Sequence, residues 1–263
     1  MRVIVTGGNS GVGAATATAL AAQGHEVVIA CRDVDKARRV AVERGDIEVR
    51  SLDLADLASV RTFAASVDAV DVLVNNAGVM GMPLTRTVDG FEAHVGINHL
   101  GHFALTCLLG DRIKDRVVSV ASATYLLTHL DLADLNWRTR KYSKWAAYGQ
   151  SKLANLLFVR ELAARGVRAY ASDPGATDTD ITRSMGMGEH QRIRKLLHTP
   201  AQGARASLQA ITTDLPSGTY LAPRFNQLGA PTVTKLRPKA VDTVMARRLW
   251  DLSAELTGCD WAA

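Results

Sequence analysis

Cysteine is scarce in this 263-residue chain: Cys31, Cys107 and Cys259 are the three present. They are odd in number and show no Cys-x-x-Cys spacing, which excludes a disulfide framework or a cysteine-rich zinc site and fits a reducing cytoplasm. Aromatic residues contribute 5% of the chain, and none interleave with basic residues in the manner of single-strand nucleic-acid binders. The formal charge of +5 and pI of about 9.3 therefore read as dispersed surface charge. Two basic clusters, Arg138 to Lys144 and Arg192 to Lys195, are expected to be solvated faces. No apolar run approaches the ~18–20 residues needed to cross a bilayer, and no leader precedes the first apolar run, so the expectation is a soluble, cytoplasmic protein without a membrane partner. Linkers rich in Pro, Gly or Ser, low-complexity blocks and internal repeats are also missing. Residues 1–263 are accordingly expected to form one domain.

What is present is a regular alternation. Apolar runs from Met1 to Thr6, Glu26 to Cys31, Ile47 to Leu52, Val70 to Asn75, Arg116 to Ala121 and Val167 to Ser172 are separated by stretches long enough for one helix each. This pattern predicts an α/β fold, a Rossmann-type doubly wound parallel sheet flanked by helices. Between the first run and the alanine-rich stretch Ala14 to Ala22 lies Gly7-Gly8-Asn9-Ser10-Gly11-Val12-Gly13. Glycines in such a strand-to-helix turn permit close backbone approach, and the first helical N–H groups then face an anion, here a phosphate or pyrophosphate. Ala14 stands where a Walker-type loop needs lysine, and Val12 where a hydrolase nucleophile elbow around Ser10 needs glycine. The spacing Gly7-x3-Gly11-x-Gly13 departs from the usual dinucleotide fingerprint, so the turn alone leaves its guest open.

Two further features point to chemistry. The second apolar run ends in Arg32, where NAD-binding folds carry an acid for the adenosine ribose; a guanidinium there pairs with a 2′-phosphate instead and favours NADP. Tyr148 and Lys152 lie four residues apart in a helix-like segment and share one face. A nearby cation favours phenolate, so the pair reads as an acid/base. His99 and His102 have the spacing of a possible metal pair, but no Glu follows His99 as a zincin requires, and no metal is expected.

With these residues in place, the chain resembles the short-chain dehydrogenase/reductase family over nearly its whole length, and most of all its retinol-dehydrogenase-like branch. Thr6 to Gly13 matches the family's glycine motif, Cys31-Arg32-Asp33 its NADP-type strand end, and Leu52-Asp53-Leu54 the segment that holds adenine. Asn75-Asn76-Ala77-Gly78 matches the motif closing the fourth strand, Asn98 falls in the Asn-His-Leu-Gly-His-Phe run, and Ser122 ends the fifth strand. Tyr148 and Lys152 fit Tyr-x3-Lys, and Pro174-Gly175-Ala176-Thr177-Asp178-Thr179 resembles the loop beside the nicotinamide. Three departures stand out. Asp173 occupies a position where the branch commonly has His or Asn, Ala121 replaces a frequent second Ser, with Ser119 as the fallback hydroxyl, and the stretch from Ser122 to Tyr148 is long, as in this branch.

The resemblance implies an NADP(H)-dependent oxidoreductase interconverting an aldehyde or ketone and an alcohol by hydride transfer. Tyr148 is then the general acid/base, Ser122 a donor to the substrate oxygen, Lys152 the group that lowers the Tyr148 pKa and holds the nicotinamide ribose, and Asn98 the anchor of a relay water. Gly7, Asn9, Ser10, Gly11, Val12, Gly13, Arg32, Asp53, Leu54, Asn76, Ala77, Gly78, Tyr148, Lys152, Pro174, Gly175, Thr177 and Thr179 are the implied NADP-binding residues. Ala123, Thr124, Tyr125, Trp145, Ala176 and Met185 are expected to line an apolar substrate pocket, with a lid over about 179–199. The implied partners are a small carbonyl or alcohol substrate and a second copy of the chain, as homodimer or homotetramer. A nucleotide-sugar epimerase or dehydratase, which also uses Tyr-x3-Lys, and a non-catalytic NADP sensor are the alternatives; the glycine spacing and the missing substrate domain speak against the first, the full set of catalytic matches against the second.

Overall fold

The computed structural model describes residues 1–42, 47–179, 197–225 and 227–261. The strands β1 (Arg2–Thr6), β2 (Glu26–Cys31), β3 (Ile47–Ser51), β4 (Val70–Asn75), β5 (Ile113–Val120) and β6 (Arg168–Ser172) pair in parallel in the order β3-β2-β1-β4-β5-β6. Each is connected to the next through a crossover, as the alternation requires. The sheet continues through β7 (Tyr220–Pro223), parallel to β6, and closes on antiparallel β8 (Pro231–Val233). These last two strands, four and three residues long, are too short to leave a period in the sequence.

Side-chain alternation distributes the sheet between two apolar layers. Val3, Val5, Val27, Ile29, Val72 and Val74 face one core, which α1 (Gly11–Ala22), α2 (Val34–Val42) and α7 (Pro200–Thr212) cover; Ile4, Val28, Ala30 and Leu73 face the other. That period of two is the geometric signature of a strand buried on both faces. The second core is built by α3 (Leu57–Ala65), α5 (Gly101–Leu109), α6 (Lys144–Ala164) and α8 (Thr243–Thr257). Helix α6 is buried on most of its circumference, from Ala147 to Leu162, because it lies between the sheet and α8. Trp250 of α8 is 2% exposed, stacks on Phe158 and meets Phe103 edge-on at 4.9 Å.

Ahead of α5, the short α4 (Ala93–Val95) runs into a π-helical turn over Gly96–Leu100 that contains Asn98. Such turns shift the register of one helical face and are frequent at functional sites. Gly101 is required where this segment crosses the Leu54 carbonyl, because a Cβ there would lie 2.5 Å from that oxygen. The order β3-β2-β1-β4-β5 reverses direction between β1 and β4, and at such a switch point the carboxyl ends of neighbouring strands open a crevice.

The stretch between β5 and α6 is a packed structure rather than a solvated loop. Asp134 accepts the backbone N–H groups of Arg138, Thr139 and Arg140 at 2.6–3.1 Å. Arg140 lies 3.6 Å over the Trp137 ring and donates to Gln150. The expectation that the Arg138 to Lys144 cluster is wholly solvated is therefore corrected for Arg140, whose guanidinium is taken up by the ring and by α6. The second basic cluster and most of the expected lid fall on 180–196, outside the described residues.

Replacing Trp250 by Ala is predicted to lower unfolding free energy by about 3–5 kcal/mol, read from urea titrations. A loss under ~1 kcal/mol would mean that α8 is not integral to the core.

Candidate active site

The crevice at the switch point is a continuous cleft of about 450 Å³. At one end lies the glycine turn. Gly7 and Gly11 have φ of +66° and +53°, and a Cβ on Gly7 would lie 2.9 Å from the Ala77 Cα. The N-cap of α1, Ser10, makes no side-chain bond to the first helical N–H groups, which leaves the positive end of the helix directed at the cleft. The turn is held against β4 by Thr6, whose hydroxyl accepts from the N–H groups of Asn76 and Ala77 at 2.9 and 3.0 Å. The Asn76 side chain donates back to the Thr6 carbonyl at 2.7 Å. Arg32 and Asp33 line the end of the cleft next to β2, with the Arg32 side chain exposed.

At the other end stand Ser122, Tyr148 and Lys152. Ser122, just past β5, caps the 3-10 turn Ala123–Leu127 and shares a hydrogen bond with the Tyr148 hydroxyl. Ser119, the alternative, is 1% exposed within the sheet and does not reach the cleft wall. Tyr148 and Lys152 are one turn apart on α6, and the Lys152 ammonium donates to the Val120 carbonyl at 3.0 Å, an oxygen that also accepts from Asn155. Burial lowers the Lys152 pKa to about 8, with Asp173 opposing. Tyr148 moves the other way: burial first, then the Asp173 charge, push its phenol above the ordinary range, against the Ser122 hydrogen bond. The expectation that Lys152 depresses the phenol is thus corrected. The ammonium is directed at Val120 and lies 5.7 Å from the Tyr148 ring centre, too weakly coupled to overcome desolvation.

The cleft wall contains every residue expected to bind cofactor, from Gly7, Asn9, Ser10, Gly11, Val12, Gly13 and Arg32 through Asp53, Leu54, Asn76, Ala77 and Gly78 to Pro174, Gly175, Thr177 and Thr179, together with Tyr148 and Lys152. Among the expected catalytic residues, Asn98 is the exception. It is fully buried, and its side chain clasps the backbone of Val79, accepting from its N–H at 2.8 Å and donating to its C=O at 3.0 Å, besides donating to Ser151. Its amide thus fixes the loop after β4 rather than facing the cleft. Of the expected pocket residues, Thr124, Trp145 and Ala176 line the cleft, whereas Ala123 and Tyr125 do not: Tyr125 turns inward to accept from the Arg237 N–H. Met185 lies outside the described residues.

The histidines are structural. The Asn98 carbonyl can only accept, so the hydrogen of neutral His102 is on Nδ1 and Nε2 accepts from Thr6, at 3.1 and 2.8 Å. Burial lowers the pKa of His102 to about 4 and that of His99 to about 3, and His99 is bonded to Ser253.

Sequence reasoning missed several contributors, Val79 and Ile97 among them. Met80 and Gln227 line the cleft from loops that have no motif. The buried Glu92–His94 pair, 2.7 Å apart, holds the Met82 N–H through His94 and receives the Tyr142 hydroxyl, and the His94 ring meets that of Tyr148 edge-on. Nothing in their spacing announces such a pairing.

Comparison with known proteins decides the family. The family model of short chain dehydrogenases matches residues 1–130. Human retinol dehydrogenase 13 is 40% identical over 98% of this chain and 85% of its own length, and mouse retinol dehydrogenase 12 is 42% identical over 98% and 87%. The chain belongs to the short-chain dehydrogenase/reductase family, in its retinol-dehydrogenase-like branch. An uncharacterized protein from Mycobacterium paratuberculosis, solved by crystallography, is similar throughout, with 45% identity, a TM-score of 0.88 and coverage of 100% of this chain and 95% of that one.

The chain is therefore an oxidoreductase of a family that uses NAD(P)(H). The residues present fit such a dinucleotide: the short-chain dehydrogenase turn folds so tightly that a Cβ at Gly13 would fall 2.5 Å from the Gly7 carbonyl, and the cleft joins this turn to Tyr148.

Lys152→Met tests the electrostatics of the pair. A lysine depressed by burial binds its proton less tightly folded than unfolded, so its contribution to stability rises with pH between the two values. The stability of the wild type relative to Lys152→Met should increase from about pH 8 to 10.5; a flat difference across that window would show that Lys152 is not desolvated.

Proposed function

We propose that this oxidoreductase is NADP(H)-dependent and interconverts an aldehyde or ketone with the corresponding alcohol. The observation that carries the reading is the convergence of Ser122, Tyr148 and Lys152 on the wall of a cleft whose far end presents a glycine turn and Arg32. The nicotinamide cofactor, when bound, supplies the hydride. The chain's own residues manage position and protons. The backbone at Gly11 to Gly13 and the α1 N-terminus receive the pyrophosphate charge, and Arg32 receives a 2′-phosphate through charge-assisted bonds. Asp53 and Leu54 bound the adenine end, and Gly175 to Thr179 the nicotinamide end.

In the reductive direction Tyr148 donates its proton to the carbonyl oxygen as that oxygen gains charge. A phenol held above its ordinary pKa is fully protonated at neutral pH and so carries the proton to be given. Ser122 stabilises the same oxygen by hydrogen bonding. Lys152, with its pKa lowered to about 8, carries a positive charge at neutral pH and is held on the cleft wall by the Val120 carbonyl. The substrate is read as a small apolar molecule, since Trp145, Met80, Val79 and Ile97 line the cleft. The name retinol dehydrogenase of the relatives is consistent with such a guest.

NADPH consumption against a broad carbonyl panel tests the reading, and a chain that binds NADPH yet oxidises none of it would be a sensor instead. Tyr148→Phe should lose about 10²–10⁴ in turnover while its NADPH affinity stays within a few fold. Arg32→Ala should weaken NADPH by about 1–3 kcal/mol and leave NADH unaffected; equal weakening of both would remove Arg32 from cofactor selection.

A further inference from the structure

Asp173 is 2% exposed at the end of β6. Three donors converge on its carboxylate. The Ala123 N–H, directly after Ser122, donates to Oδ2 at 2.6 Å, the Tyr220 hydroxyl of β7 donates to the same oxygen at 2.7 Å, and the Gly175 N–H donates to Oδ1 at 2.7 Å. No acceptor faces it in this set. A carboxylate, which only accepts, satisfies all three, whereas an amide would turn an NH₂ group toward one of them. The bonds tie the turn carrying Ser122, the loop at the nicotinamide end of the cleft and the inner face of β7 to one point.

The geometry points to Asp173 as a positioning residue: one buried carboxylate that locks the Ser122 turn to the Gly175 loop and places a negative charge beside Tyr148 and Lys152. The inference deepens the functional reading above and rests on it. Facing the carboxylate are Tyr148 and Lys152 from α6 and Tyr220 from β7; burial pushes the Asp173 carboxyl up, and the Tyr220, Gly175 and Ala123 donors and the Lys152 charge oppose that rise. Tyr125 stands behind Tyr220, edge-on at 6.4 Å, and His198 bonds the neighbouring Pro174 carbonyl at 3.1 Å. Among these, the Asp173 charge acts in the same sense on both members of the catalytic pair, favouring the protonated form of each. For Tyr148 desolvation is the larger cause, and the Asp173 charge adds to it.

The test reads Tyr148 itself. Tyrosine is labelled at Cζ, the five phenols are titrated by carbon NMR without substrate or cofactor, and Tyr148→Phe assigns the signal. Asp173→Asn should move the Tyr148 titration down by about one pH unit or more. Tyr220→Phe, which removes one hydrogen bond and keeps the charge, should leave it in place. Asp173→Ser removes the charge without added bulk and carries the same expectation if Asp173→Asn does not fold. Titration unmoved by loss of the carboxylate, or moved equally by Tyr220→Phe, overturns the charge assignment. In turnover, the alkaline limb of kcat for reduction should shift down in parallel, with a smaller change in KM for NADPH. Absence of turnover in the wild type overturns the functional reading, whereas an unmoved titration overturns the role of Asp173 whatever the turnover.

Discussion

The ammonium of Lys152 is buried at the carboxyl edge of a parallel sheet, and much of the surrounding structure answers to it. A charge in that setting costs several kcal/mol unless it is bonded and balanced. Val120, at the last residue of β5, supplies the acceptor, and Asp173, at the end of β6, supplies opposite charge. Both lie at strand ends because only there does the ladder leave a carbonyl or side chain free to turn toward α6. The helix is fixed in turn by burial of its length against α8 and the sheet. Tyr148 is placed one turn before the ammonium by this packing, beside Ser122.

A second lattice of hydrogen bonds operates at the ends of β1 and β4. Thr6, Asn76, His102 and Asn98 form a continuous chain from β1 through the loop after β4 into the π-helical turn. It ties the glycine turn and the loop carrying Val79 to the strand ends at the cleft. Neither His99 nor His102 contributes charge at neutral pH, since both are lowered far below it, so this lattice is neutral.

Much of this is legible in the sequence. The six long strands leave apolar runs, and the limits of those runs differ from the observed strands by no more than three residues, as at β5, which begins at Ile113 rather than Arg116. The residues of the glycine turn and of the cleft wall are legible because backbone approach demands glycine at fixed places and because the family's motifs are local. Asn98 is marked by its motif, but its contact is not: the motif specifies the residue, while the π-helical turn aims its side chain at Val79. For Tyr148 the sequence offers only a near neighbour, Lys152, as the group that sets its acidity. In the folded protein burial and Asp173, twenty-five positions beyond Tyr148 by residue number, weigh more. Strands β7 and β8 are too short to declare themselves.

By itself, then, the sequence determined the strand-helix alternation, the glycine turn, the family and the identity of the residues that converge on the cleft, because these depend on period and on short motifs. Only the tertiary structure decided which side chains face one another: Asp173 against Ala123, Tyr220 and Gly175, Arg140 over Trp137, Glu92 against His94 and Tyr142. Desolvation and charge coupling act through space over a few ångströms and carry no sequence period. The directions in which the Tyr148 and Lys152 pKa values move are therefore set by burial and long-range neighbours, which the motif that names the pair does not contain.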